Sequence, residues 1–325
     1  MYREKRIAVI IPAYNEERLI GKTIGTLPGF VDYITVINDG STDRTAEIVG
    51  ELIRSDPRVR LLVHERNGGV GAAIRTGYAW ARNTDADITV VMNGDNQMDP
   101  HDLPALLDPL VEDQADYVKG NRLVTGEAWS QIPRVRYLGN SVLSFLTKFA
   151  SGYFHVSDSQ SGYTAINRRA LAVLPLGTIY SGFGVPNDIL VKLNISYMRV
   201  MDVPVRPVYG VGERSDLKIR KVIFSIPVLL IHLFFHRMFQ KYLIRDFHPI
   251  ILCYSISVLL FAVAAPLSIR LFIMWIESGR IMPMNLLAVV FCVLAALQTL
   301  FIAIFFDIDQ NQKPKGKSIS ESSST

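Results

Sequence analysis

Ile88-Thr-Val-Val-Met-Asn-Gly-Asp-Asn-Gln-Met-Asp-Pro100 runs a short, β-branched apolar segment straight into a cluster of oxygen-bearing side chains. A strand end that delivers Asn93, Asp95, Gln97 and Asp99 to one spot can hold a hard divalent cation, because Mg²⁺ and Mn²⁺ favour carboxylate, amide and water oxygens. The same residues also make a polar loop that starts the next helix, with Asp99 before Pro100 as its opening. Upstream, Ile7-Ala-Val-Ile-Ile11, Tyr33-Ile-Thr-Val-Ile37 and Val59-Arg-Leu-Leu-Val63 are similar runs, suited to strands buried on both faces. Helical stretches are expected between them, at Glu16 to Leu27, Thr42 to Arg54 and Val70 to Arg82. Alternating strands and helices predict an α/β domain with a mostly parallel, Rossmann-like sheet. Ligands collect at the carboxyl ends of such strands, and every expected strand here ends in polar or turn-forming residues.

Those strand ends carry a family resemblance. Ile11-Pro-Ala-Tyr-Asn-Glu16, Asn38-Asp-Gly-Ser-Thr-Asp43, Asn67-Gly-Gly-Val-Gly71 and the Asp95 segment, in that order, resemble family 2 glycosyltransferases of the GT-A fold. The closer similarity is to the branch acting on polyprenyl or dolichyl phosphate, the dolichyl-phosphate mannose synthase-like enzymes. It covers about residues 6 to 220. Lys119-Gly-Asn-Arg122, Asp158-Ser-Gln-Ser-Gly-Tyr163 and Gly212-Glu-Arg-Ser-Asp-Leu-Lys218 are similar to further blocks of that branch. Two positions depart from the pattern: Asn93 stands where the first acid of an Asp-x-Asp pair is usual, and a later acidic dyad reads Asn187-Asp188.

The resemblance implies a nucleotide-sugar donor, a divalent cofactor, Mg²⁺ or Mn²⁺, held through Asp95 and Gln97, and an inverting transfer. It directs Pro12, Tyr14, Glu16, Asp39, Gly71 and Asn93 to the nucleotide sugar and gives Asp158 a base or orienting role. Asn15 and Glu16 also suit a helix start, and Asp43 suits an N-terminal helix carboxylate favoured by the dipole. Arg122, Arg134 and Arg136 are candidates for the acceptor phosphate, since guanidinium groups donate paired, permanently charged hydrogen bonds; Lys218 is a further one. Leu143, Phe145, Leu146 and Phe149 offer an apolar path for a prenyl chain, whereas lone surface arginines are commonly just solvated.

Hydropathy points to a membrane. Nearly half of the residues are hydrophobic and the mean hydropathy is positive, +0.24, yet the excess sits in Ile250 to Ile269 and Leu286 to Phe306. Each run can cross a hydrocarbon core of about 30 Å. A short link makes them a hairpin, and basic residues on both flanks predict cytoplasmic ends. The expected organisation is a GT-A domain over 1–220, an interfacial amphipathic helix over 221–245, two transmembrane helices within 246–306 and a flexible polar tail over 307–325. Met1 to Arg6 leads into the first strand without an apolar leader, so the catalytic domain is expected in the cytosol. Cys253 and Cys292 fall inside the spans and form no spaced framework.

The expected activity is transfer of one hexose, from GDP-mannose or a UDP-hexose, to a polyprenyl phosphate at the cytoplasmic membrane face. Membrane lipids are expected partners, nucleic acid is not, and a homo-oligomer stays open. Three other readings compete. The Gly68, Gly69, Gly71 cluster suggests a NAD-dependent oxidoreductase, but that fingerprint belongs after the first strand and here follows the third. A processive polysaccharide synthase lacks its Gln-x-x-Arg-Trp signature here. Asn93 suggests a catalytically impaired, membrane-anchored nucleotide-sugar-binding protein.

Overall fold

The computed structural model describes residues 1–124, 132–208 and 219–312. Contacts divide the chain into a unit Met1–Phe235 and a second from His236 onward.

The first unit is built on a seven-stranded sheet in the order β3-β2-β1-β4-β6-β5-β7. Strands β1 (Ile7–Ala13), β2 (Tyr33–Asn38), β3 (Val59–Val63) and β4 (Ile88–Val91) are parallel neighbours. β6 (Thr164–Asn167) runs antiparallel to both β4 and β5 (Tyr117–Asn121), and β7 (Val200–Pro204) is parallel to β5. The sheet is therefore mostly parallel, with one reversed strand near its middle.

Period-two alternation along each strand explains the two cores. Ile7, Val9 and Ile11 of β1, with Ile88 and Val90 of β4, pack on one face against Ile20, Ile24, Val49, Leu103 and Leu107. Ile10, Ile37 and Val91 point the other way and pack against Ala73, Ile74, Tyr78, Ile189 and Leu193. The first face is covered by helices α1 (Ile20–Gly25), α2 (Thr45–Ser55) and α4 (Leu103–Val111), and the second by α3 (Val70–Arg82) and α7 (Val185–Ile195). Helix α5 (Arg134–Ser151) and the short α6 (Arg168–Val173) complete the described elements before α8 (Ile219–Phe239).

Several expected boundaries shift; the second helix, for one, begins at Thr45 rather than Thr42. The first helix begins at Ile20 rather than Glu16, after a turn in which the Glu16 carbonyl accepts from the Leu19 and Ile20 amides. The polar tail does not begin at Asp307: helix α10 (Pro283–Gln312) carries on to Gln312, and the remainder of the expected tail lies outside the described residues.

In the second unit, α9 (Ile250–Ser278) and α10 are joined through Gly279–Met282, with Gly279 capping α9 at φ +65°. Both helices are long and apolar enough to cross a membrane, and many of their large apolar side chains, such as Leu259, Ile276, Phe291 and Phe301, are exposed. Before them comes a π-helical turn, Gln240–Arg245. Arg237 and Asp307 are both fully buried and joined by two hydrogen bonds, Nη1 to Oδ1 at 2.8 Å and Nη2 to Oδ2 at 2.7 Å. The Tyr242 hydroxyl and Asn311 Nδ2 donate to the same carboxylate, at 2.7 and 2.9 Å. Lys241 Nζ donates to Asn311 Oδ1 at 2.6 Å. Arg237 and Lys241, two basic residues that precede the hairpin, thus bind residues of α10.

Candidate active site

A cleft of about 520 Å³ opens at the carboxyl ends of β1, β2 and β4. Pro12, Tyr14, Glu16, Asp39, Asn93, Asp95, Gln97 and Arg122 all line it. Side chains far apart in sequence meet there because parallel strands end on one edge of the sheet. Of the other expected site residues, Gly71 and Asp158 lie behind the lining, and Arg134 is exposed at the start of α5. The Arg136 side chain and Lys218 lie outside the described residues.

On the β2 side, Asp39 is buried and accepts hydrogen bonds from the amides of Gly68 (3.0 Å) and Gly69 (2.8 Å). His64 Nδ1 lies 2.6 Å from the same carboxylate, and its Nε2 lies 2.9 Å from the Thr76 hydroxyl. Asp39 therefore clamps the glycine loop onto the end of the sheet. The glycines themselves are needed for packing: a Cβ on Gly71 would meet the Tyr180 carbonyl oxygen at 2.0 Å. Gly69 has φ +89° and would meet the Ser181 carbonyl oxygen at 2.6 Å. Gly71 packs behind the lining, its amide donating a hydrogen bond to Ser181 O at 2.8 Å.

Asp43 takes the capping role. It accepts from the Thr45 amide and hydroxyl and from the Glu17 amide. Burial pushes its pKa up, but these bonds outweigh that and hold the carboxyl below its usual range. Asn15 accepts from the Thr42 amide, so the two motif loops after β1 and β2 are stitched together.

Beyond β4, Asp95 accepts from the Gln97 amide at 3.1 Å. Gln97 Nε2 is buried with no hydrogen-bond partner among the described residues. Asp99 leaves the cluster: it caps the turn Pro100–Asp102, accepting from the His101 amide at 2.9 Å. Asn93 faces Gly162 across the cleft, where a Cβ on that glycine would stand 3.6 Å from its side chain.

The acceptor-side arginine is not an independent charge. Arg122 donates from Nε (2.8 Å) and Nη2 (3.1 Å) to the two oxygens of Asp158, and its amide adds a third bond at 3.2 Å. Asp158 is fully buried. Burial raises its pKa, but Arg122, followed by Lys119, more than reverses this and keeps it an anion.

A family model described as glycosyl transferase family 2 matches residues 8–174, just over half of the chain. The chain belongs to that family. A UDP-N-acetylglucosamine–dolichyl-phosphate N-acetylglucosaminyltransferase of Methanococcus voltae is 32% identical over 219 residues, 63% of this chain and 87% of the relative. A polyprenol monophosphomannose synthase of Mycolicibacterium smegmatis is 29% identical, over 68% of this chain and 86% of the relative. Among solved structures, glucosyl-3-phosphoglycerate synthase of Mycobacterium tuberculosis, in complex with Mn²⁺, UDP and phosphoglyceric acid, aligns with a TM-score of 0.55 at 22% identity. That alignment covers 72% of this chain and 78% of the other, and it shows a shared GT-A fold.

In this family 2 glycosyltransferase the metal corner offers one carboxylate, Asp95, flanked by the amides of Asn93 and Gln97. No group of three His, Cys, Asp or Glu that could hold a metal occurs among the described residues. A hard-oxygen set with a single carboxylate fits a cation that draws its remaining ligands from a diphosphate and water, as Mg²⁺ does. The other position of departure is structural here. Asp188 accepts from the Tyr180 amide at 2.8 Å and from Lys192 Nζ, and Asn187 accepts from Thr147 and Gln160. Asp188 thereby holds the wall on which the glycine loop rests, and Asn187 ties α5 to the Gln160 segment.

Several residues in or behind the cleft were not assigned from sequence. Arg206 and Gln160 line it. His64 was signalled by register: Asn38 pairs with Val63, so the residues that follow, Asp39 and His64, must emerge side by side. Lys119 was signalled by being a lysine inside a fully buried strand.

Proposed function

We propose that this family 2 glycosyltransferase moves one hexose from a nucleotide diphosphate sugar to a polyprenyl phosphate. The observation that carries the reading is the pairing, in one cleft, of the Asp39-clamped glycine loop with an arginine whose fork is held rigid by a buried carboxylate. The relatives named above support the acceptor class. The donor lies along the β1, β2 and β4 ends, against Pro12, Tyr14, Glu16, Asp39 and Asn93. Arg122 is the cation proposed to meet the acceptor phosphate, with Arg134 and Arg136 of α5 and Lys218 as further cations. The groove of about 340 Å³ between α5 and α8, lined by Leu146, Phe149, Leu230 and Phe234, offers apolar surface for the prenyl chain.

An acceptor phosphate oxygen attacks the anomeric carbon. The new C–O bond forms as the bond to the diphosphate breaks, and the configuration inverts. The second pKa of a phosphate monoester is near 6, so the acceptor oxygen is already ionised and no strong base is required. Asp158 then serves by orienting Arg122 rather than by taking a proton. Asp95 and Gln97 would hold Mg²⁺ or Mn²⁺, which supplies electrostatic stabilisation to the departing diphosphate. The basic flanks of the hairpin favour the cytoplasmic face for this chemistry.

The test is incubation of the purified membrane protein with a panel of UDP- and GDP-sugars and polyprenyl phosphates, with the lipid products weighed by mass spectrometry. A hexosyl phosphopolyprenol from one donor is the expected product. Transfer to water-soluble phosphates alone, with no lipid product, would overturn the acceptor assignment.

A further inference from the structure

Behind the cleft lies a set of buried charges outside its lining. Lys119 on β5 is fully buried, and its register partner on β7 is Asp202. Lys119 Nζ donates to the Ser161 carbonyl oxygen at 2.8 Å. Asp202 Oδ2 accepts from the Ser157 amide (2.6 Å) and from Asn121 Nδ2 (2.9 Å), while its Oδ1 is buried without a partner among the described residues. Together with Asp158 on Arg122, these bonds strap the segment from Ser157 to Gly162 at its start, near its start and near its end. Gln160, Ser161 and Gly162 of that segment line the cleft, with Gly162 facing Asn93.

We propose that Lys119 is a positioning residue: its buried ammonium, held between the Ser161 carbonyl and the field of Asp158 and Asp202, fixes the Ser161–Gly162 wall and the Arg122–Asp158 pair for transfer. The proposal rests on reading the cleft as the transferase site. Lys119 touches no substrate; it acts through Ser161 and through the charge it places beside Asp158. The buried cluster is neutral when its two cations and two carboxylates are all ionised, so loss of the ammonium leaves a net negative charge facing the wall. Burial, with a smaller push from Arg122, lowers the Lys119 pKa to about 8 against the opposing pull of Asp158 and Asp202. His155 also faces Asp202 electrostatically. The wall is therefore set by a group that titrates just above neutrality.

The test compares the full-length protein with Lys119→Met and with Lys119→Met/Asp202→Asn, in which the buried charge again balances. Hydrogen exchange of the 157–163 peptide, melting temperature, kcat and the KM of each substrate are measured for all three. The double variant is expected to recover the melting temperature lost by the single one. Its peptide should exchange faster and its kcat should stay roughly ten- to a hundredfold down, as small misplacements cause, with donor KM within about twofold. In the parent, kcat should fall as pH rises above about 8. Parental exchange in the double variant, parental kcat despite faster exchange, or a flat parental kcat from pH 7 to 10 would each overturn the proposal. If the parent itself transfers nothing, the functional reading fails instead, and exchange of the peptide still decides whether Lys119 holds the wall.

Discussion

Arg122 and Asp158 form a forked ion pair, closed by two guanidinium bonds and the Arg122 amide, on the wall of the cleft opposite Asp39. The pairing ties two roles that the motifs present separately, a phosphate contact and an acid, into one unit. Arg122→Lys keeps the charge but loses the fork. Its KM for polyprenyl phosphate should rise roughly tenfold, the loss of about 1.5 kcal/mol in a charge-assisted contact, with nucleotide affinity unchanged. Loss of UDP or GDP affinity at constant lipid KM would move the arginine to the diphosphate.

Asp158→Asn tests the base assignment separately. As an orienting group, Asp158 should lower kcat on replacement without removing any ionisation from the pH–rate profile between pH 5 and 7. Disappearance of an acidic limb in the variant would restore it as a base.

The donor half turns on Asp39. Asp39→Asn weakens the clamp on the Gly68 and Gly69 amides, so calorimetric affinity for the nucleoside diphosphate should drop roughly tenfold while lipid KM stays put. His64→Ala should cost less, because both amides still hold the carboxylate. A larger effect from His64 than from Asp39 would mean that the imidazole, not the clamp, meets the donor.

At the metal corner, Asp95→Ala should abolish transfer and Gln97→Ala should reduce it, both with parental melting temperatures. Chelator should stop the parent, and Mg²⁺ or Mn²⁺ should restart it. Full turnover in excess chelator would remove the cation from the reaction.

The lowered pKa of Lys119 has a definite sign for stability. Between about pH 8 and its ordinary 10.5, the unfolded chain holds a proton that the folded chain has released, so this group's contribution to stability rises with pH across that window. The melting temperature of the parent relative to Lys119→Met should therefore climb from pH 7.5 to 10, in the range where kcat is expected to fall. A gap that stays constant would show that the lysine does not titrate there.

Much of the nucleotide half was legible because parallel strands buried on both faces announce themselves as continuous β-branched runs. α3, between Val70 and Arg82, coincides with its expected limits; β3 also keeps its limits at Val59 and Val63, but it is not buried on both faces as expected, since only Val59 is buried and Val63 is exposed. β6 and β7 gave no such signal, because Thr164, Asn167 and Asp202 interrupt their apolar character. The second set of strands also decides what stands behind Arg122, so Lys119 and Asp202 could not be joined from sequence. Motif spacing found Gly71 without showing that its missing side chain makes room for Tyr180. Asp99 was drawn into the metal cluster by proximity in sequence, although the residue before a helical turn is more economically used as its cap.

The clasp between Arg237 and Asp307 sets an order on the birth of the second unit. The two residues are 70 positions apart, and the carboxylate lies near the end of α10, so the arginine leaves the ribosome long before its partner exists. A buried arginine without its counter-ion is strongly disfavoured. The π-helical turn and its neighbours must therefore wait, solvated or at a headgroup surface, until both long apolar helices have been made and the chain has returned to meet them. The clasp can therefore close only once both long apolar helices have been made, and a chain cut short before Asp307 leaves Arg237 without its counter-ion.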